Sequence, residues 1–273
     1  MERFDRGNKF ILKTILNNDR LNAYEFYIKY AENNGYNVCG LEKFYENRDD
    51  GNKYFVLRHD VDIVSEATEE MFLKEKALGV TSTYYFRFST IDVELIKKME
   101  DAGFEVGFHF ETLANYANEF GIERIDEISM EKVQEKLKME IDKFEKTTNI
   151  TIKSLASHGH PLNRKLGYSN NYILENESYS KYNILFEAYD KELYNKYIDS
   201  HIMDNNICFN SGFSYNENPI EEIDNKKARI VFLSHPNYWY GNNVRKVKDL
   251  VYFFSGRGKK YQPTTFKRIA LGE

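Results

Sequence analysis

Only two cysteines, Cys39 and Cys208, occur in the 273 residues, far apart and in no CxxC pair. That scarcity excludes a disulfide framework and a thiolate zinc site. Long apolar runs are missing too: no window approaches ~18 uninterrupted apolar residues, so no segment reads as a spanning helix and no membrane insertion is expected. The first twenty residues, MERFDRGNKFILKTILNNDR, hold only the brief cluster FIL, with no signal-peptide core and no small-residue cleavage site. Excess positive charge is also absent. A net charge of −5 gives no reason to expect nucleic acid or an anionic membrane as partner. There is no linker rich in Pro or Gly, no low-complexity tract and no repeat. These absences lead to the expectation of a cytoplasmic protein of one domain over residues 1–273, with 1–50 as an N-terminal helical extension packed on the rest.

What is present is globular. Hydrophobic residues make up 41% and charged residues 30%, a composition that buries a core. The aromatic share of 15%, from 21 Tyr and 20 Phe, is high. Such rings line clefts for sugars, and more often simply fill cores.

Strands and helices alternate along the chain. Apolar positions at helical spacing over 20–34 stop at Gly35, and KYFVLR (53–58) forms the first convincing strand. A capped helix over 65–79 ends at Gly79, and the β-branched and aromatic run VTSTYYFRF (80–88) reads as a strand. A helix then closes at Gly103, with the strand FEVGFHF (104–110) behind it. Residues 122–148 form a long amphipathic helix with a break near Ser129 and a solvated charged face. Further strands are expected at 150–158, 184–189, 197–203 and 228–235, with an irregular excursion after 160 and a closing helix over 244–256. The alternation fits an α/β barrel or an open doubly wound sheet, and either gathers its chemistry at the carboxyl ends of the strands.

The histidines follow that rule. Of six, His59, His109, His158 and His235 each end a strand; His160 follows two residues behind His158, and His201 lies inside a weaker strand. A single such His is more often satisfied in a core or loop. Four at one rim, beside Asp60, Asp62 and Glu111, point instead to a mononuclear metal site with an open position. Alternation puts Asp60 and Asp62 on one face of an extended chain, and likewise puts His109 and Glu111 on one face of theirs. Imidazole with carboxylate suits zinc or another borderline divalent cation.

The segments LRHDVD, EVGFHFETL, SLASHGHPLN and VFLSHPNYW resemble the spaced motifs of the polysaccharide deacetylase superfamily (NodB-homology, carbohydrate esterase family 4), and more narrowly its divergent bacterial branch. The resemblance runs from about residue 53 to residue 240. It implies a distorted (β/α) barrel, here of seven strands, a divalent metal, and hydrolysis of an N-acetyl group from a carbohydrate. Carried over residue by residue, it implies Asp60 as general base, Asp62 and His109 as metal ligands, and His235 as general acid.

The motifs also depart from the superfamily. Its second motif carries another His four residues after the first, where this chain has Leu113. His158 is the first candidate for the third metal ligand, with His160 and Glu111 behind it. The arginine that holds the base has no clear counterpart, and Arg58 or Arg164 could serve. His59 is read as structural. Glu111, His160, Tyr238 and Trp239 are expected at the substrate, with Trp239 stacking on a sugar or walling the pocket. Asn210, Ser211 and Gly212 read as a turn. The same metal chemistry suits another C–N bond, such as a cyclic imide. The missing histidine suits a carbohydrate-binding member that has lost turnover.

Overall fold

The computed structural model describes residues 21–63, 66–204 and 219–240. The expected closing helix over 244–256, the turn at 210–212 and Ser65, the first residue of the expected capped helix, lie outside the described residues. In chain order the elements are α1 (Leu21–Asn33), β1 (Asn37–Cys39), α2 (Leu41–Asn47), β2 (Tyr54–Val61), α3 (Glu66–Leu78), β3 (Thr83–Phe86), α4 (Val93–Asp101) and β4 (Glu105–Phe110). They continue with α5 (Thr112–Phe120), α6 (Met130–Thr148), β5 (Ser154–Ser157), α7 (Pro161–Leu166), β6 (Phe186–Glu187), α8 (Lys191–Tyr197), β7 (Ser200–Met203), α9 (Pro219–Asp224), β8 (Arg229–Ser234) and α10 (Pro236–Trp239). None of the described helices is long and apolar enough to cross a membrane.

Seven parallel strands follow the order β6-β5-β4-β3-β2-β8-β7, and β1 is appended to the first half of β2. The sheet curls into a distorted (β/α) barrel, which settles the choice against an open doubly wound sheet. Among the described residues no ladder joins its two edges. Arg58 on β2 reaches across the interior to donate to Ala188 O, just past β6, at 3.3 Å. On the facing edge the His201 ring lies 6.1 Å from that of Tyr189. Side chains, not backbone bonds, span the seam, because β6 is only two residues long.

Alternation divides the strands cleanly. Phe55, Leu57 and Val61 of β2, Tyr84 and Phe86 of β3, Phe108 and Phe110 of β4, and Ile230 and Phe232 of β8 belong to one apolar cluster that takes in residues of the surrounding helices. Tyr54, Val56, Tyr85, Ala156, Phe186 and Val231 fill the barrel itself. Gly107 is needed at its inward position on β4: a Cβ there would run into the Tyr85 ring and meet Ser154 O at 2.8 Å.

Two elements are not evident from sequence pattern, β1 and α2. The N-terminal region is therefore not purely helical. The α2 terminus is capped from afar, since Glu105 accepts from the backbone N–H groups of Glu42 and Lys43, both at 2.8 Å. The long helix breaks where expected: a 3-10 turn over Ile125–Glu127 gives way at Ser129 to α6.

Candidate metal centre

The inward register of β2 runs Val56, Arg58, Asp60 and on to Asp62, while the outward register holds His59. That parity answers why one strand end carries three polar residues of different fate. His59 points away from the barrel, fully buried between sheet and helices. Its Nε2 lies 2.7 Å from Glu75 Oε1, and its Nδ1 lies 3.0 Å from Ser234 Oγ. It is structural, as expected. Asp60 and Asp62 enter the barrel mouth, where β4 delivers His109 and the end of β5 delivers His158.

Asp62, His109 and His158 offer donor atoms that all lie within 4.8 Å of one another. His109 Nε2 is 3.5 Å and His158 Nε2 is 3.3 Å from Asp62 Oδ1. Each ring is set by its far nitrogen. His109 Nδ1 is 2.9 Å from Ala156 O, and a carbonyl only accepts, so Nδ1 carries the proton and Nε2 shows its lone pair. His158 Nδ1 donates in the same way to Glu111 Oε1 at 2.7 Å. Burial opposes the ionisation of Glu111, but the hydrogen bond to His158 and the nearby Arg87 outweigh it and bring its pKa down to about 2.

Asp62 Oδ1 is buried and has no hydrogen-bond partner among the described residues. A buried carboxylate oxygen without a hydrogen bond is costly, and here the Nε2 atoms of two imidazoles flank it. Donor separations near 3.3 Å are the edges of a tetrahedron with bonds of about 2 Å. The three residues fit a borderline divalent cation.

Asp60 lies beside this cluster, with Oδ2 3.4 Å from His109 Nε2. Arg58 grips both its oxygens, Nε to Oδ1 and Nη2 to Oδ2, each at 2.9 Å. Burial raises the Asp60 pKa, but the guanidinium charge wins and holds it below the ordinary value. Across the mouth, His235 Nε2 is 3.7 Å from Asp62 Oδ2. Its Nδ1 donates to Asp204 Oδ1 at 2.8 Å, and its backbone N–H donates to Asp204 Oδ2 at 2.5 Å. Burial lowers the His235 pKa, yet the Asp204 carboxylate raises it to about 9, so the imidazole carries its proton at neutral pH.

Three expected substrate contacts are placed elsewhere. Trp239 is only 1% exposed, packed on Tyr24, Tyr27 and Phe232, and its Nε1 donates to Asp204 Oδ2 at 2.9 Å. A ring so buried cannot stack on a ligand, and it braces Asp204 instead. Glu111 has one oxygen taken by His158 and the other by Arg87 Nη2 at 2.6 Å, so it orients protein groups. His160 caps α7, its Nδ1 accepting from Leu162 N at 3.2 Å. Tyr238 does line the mouth, its ring 5.1 Å from that of His235. Leu113 is fully buried in the core.

Two residues of the site escape sequence reasoning. Asp204 directly follows β7, and Arg87 directly follows β3, so the strand-end rule that singled out the histidines also covers them.

No family model matches the chain, and no curated protein matches it. Solved structures do. A CE4 family pseudoenzyme from Bacillus anthracis matches at 14% identity over 78% of this chain and 63% of that one, with a TM-score of 0.43. A family 4 carbohydrate esterase from Streptomyces lividans, in complex with acetate, matches at 14% identity over 76% and 90%, with a TM-score of 0.40. A family 4 carbohydrate esterase from Bacillus anthracis matches at 15% identity over 87% of each chain, also with a TM-score of 0.40. The chain spans under two thirds of the length of the pseudoenzyme structures, 63–65%. Identities and TM-scores of this size assign no activity.

Proposed function

We propose that the protein is a metal-dependent hydrolase that removes an N-acetyl group from a carbohydrate. The observation that carries this reading is the buried Asp62 Oδ1 flanked by the Nε2 atoms of two imidazoles, with a carboxylate base on one side and a protonated imidazole on the other. Asp62, His109 and His158 would hold the cation, and zinc suits their mixed N/O donor set. A cation bound there supplies a Lewis acid for an amide carbonyl and for water.

The chain's own residues divide the proton transfers. Asp60, kept ionised by Arg58, takes a proton from the attacking water as its oxygen bonds to the acyl carbon. Each carboxylate oxygen keeps a lone pair beyond the one Arg58 occupies. His235 gives its proton to the departing nitrogen as the C–N bond breaks, which a poor leaving group such as an amine requires. Acetate and a free amine result. A base and an acid each held by a dedicated buried partner favour turnover over a carbohydrate-binding member that has lost it.

A groove of about 940 Å³ supports a saccharide as substrate. It runs along the excursion between α7 and β6 and the turn just past β6, and is lined by Tyr168, Tyr172, Asn171 and Tyr189 among others. Ring faces interleaved with amides and hydroxyls match the alternating apolar and hydroxylated faces of sugars. Asp60, Asp62, His109, His158 and His235 do not line the groove; Tyr189 does, and its ring also covers the Arg58 guanidinium at 4.1 Å.

The test is acetate release from N-acetylated oligosaccharides by the zinc-loaded protein, beside Asp60→Asn and His235→Gln. Release that falls about 10²-fold or more in both variants supports the reading. Hydrolysis of succinimide or hydantoins with no acetate release would overturn it.

A further inference from the structure

His158 is delivered by a different strand from His109, so nothing in the backbone alone fixes its ring against Asp62 and His109. We propose that Arg87, through Glu111, is the positioning residue that seats His158 as a metal ligand and thereby sets the metal affinity of the site. The inference rests on the metal reading above and goes beyond it, since Arg87 belongs to none of the motifs that suggested a metal.

The seat is built from three elements. Glu111 is the N-cap residue of α5, yet its side chain makes no capping bond to that helix. Its carboxylate is turned instead to His158 Nδ1 at 2.7 Å and to Arg87 Nη2 at 2.6 Å. Arg87 is 7% exposed, and the turn after β3 pins its backbone: its N–H donates to Thr90 Oγ1 at 2.9 Å, and Thr90 N donates to its carbonyl at 2.9 Å. The His158 backbone is clamped separately. Its N–H donates to Phe110 O at 2.9 Å, and its carbonyl accepts from Asn170 Nδ2 at 2.6 Å. The fully buried Asn170 ties this segment to α5 by accepting from Ala114 N at 3.0 Å.

Backbone clamps place the Cα of His158 but leave its ring free to turn. Its Nδ1 is held by Glu111, and Glu111 is held by Arg87, which sets the angle at which Nε2 meets Asp62 and the neighbouring His109 ring. Without the guanidinium, a largely buried carboxylate would lose its countercharge and be drawn toward solvent or toward another donor. His158 Nε2 would then lose its aim at the cluster. Partners of this kind tune metal affinity about 10–100-fold without touching the metal.

The experiment titrates the purified, metal-stripped full chain with Co(II) and then Zn(II), comparing wild type with Arg87→Ala, Arg87→Lys, Glu111→Gln and the Arg87→Ala/Glu111→Gln pair. Readouts are the dissociation constant and the visible absorption of the Co(II) form, with circular dichroism confirming folding. Expected are a loss of about tenfold or more in affinity and an altered Co(II) spectrum in Arg87→Ala. Arg87→Lys should recover part of both. The double variant should bind no worse than Glu111→Gln, because the two residues act in series. Wild-type affinity and spectrum in folded Arg87→Ala, or losses that multiply in the double variant, would overturn this inference and leave the metal reading standing. A wild-type chain that takes up no metal would overturn both.

Discussion

Arg58 and Asp60 stand two residues apart on β2 and pair inside the barrel, with Nε–Oδ1 and Nη2–Oδ2 both at 2.9 Å. Neighbours at i and i+2 on a strand share a face, so the strand that carries the proposed base also carries its counterion. The Tyr189 ring stacked on the guanidinium completes the seat.

Lysine cannot reproduce the two-pronged grip. Arg58→Lys is therefore expected to lower acetate release by about 10–100-fold while leaving metal stoichiometry unchanged, since Arg58 touches none of the three clustered donors. Parallel activity and metal assays check this, and wild-type activity in the variant would contradict it.

Asp204 sets the pH behaviour of His235, whose pKa moves from 6.5 to about 9 on folding. A pKa raised by folding contributes stability that is fully present below 6.5 and is lost as pH rises through about 9. In the metal-free chain His158 is likewise raised to about 9: burial opposes the shift and the charge of Asp62 drives it, so Nε2 there holds a proton that a bound cation would displace. Denaturant midpoints of the metal-free chain should thus fall across that window. Asp204→Asn should remove part of the fall, the His158 part remaining. It should also move the alkaline limb of activity acidward by about one unit or more.

Glu75 is a buried carboxylate that accepts from Tyr24 Oη at 2.5 Å, Ser82 Oγ at 2.7 Å and Tyr84 Oη at 2.8 Å, and it faces His59 Nε2 at 2.7 Å. Glu75→Ala strands all four groups and opens a cavity. The expected loss is about 3–5 kcal/mol by urea denaturation, with metal still bound by the folded fraction. Loss of metal at unchanged stability would contradict a structural role.

Leu113 takes the place where the resembled motif has its second histidine, and the fold turns that position into the core. Leu113→His should destabilise the chain by about 2–5 kcal/mol. It should not restore metal binding to His158→Ala. Recovery of stoichiometric metal in the double variant would show that α5 can still present a ligand.

Much of this was legible because strand periodicity is rigid. Once β2, β4, β5 and β8 are recognised, parity alone sends Asp60, Asp62, His109, His158 and His235 inward and His59 outward. Partners brought from distant segments were not legible. Asp204 meets His235 across 31 residues, and Arg87 meets Glu111 across 24. Nothing local marks either pairing. Trp239 misled for a related reason: four residues beyond a proposed acid it looks like a pocket wall, but the short α10 rolls it onto Tyr24 of a helix that sequence spacing never connected to the site. The two-residue β6 is likewise set by its tertiary place at the barrel seam rather than by any longer apolar run.

The most direct test of the account is the metal content of the purified, zinc-equilibrated chain beside Asp62→Ala, His109→Ala and His158→Ala. The account predicts one zinc per wild-type chain and a loss of at least tenfold in affinity in each variant that remains folded. A wild-type chain that holds no zinc, or a His158→Ala variant that holds it as tightly as wild type, would contradict it.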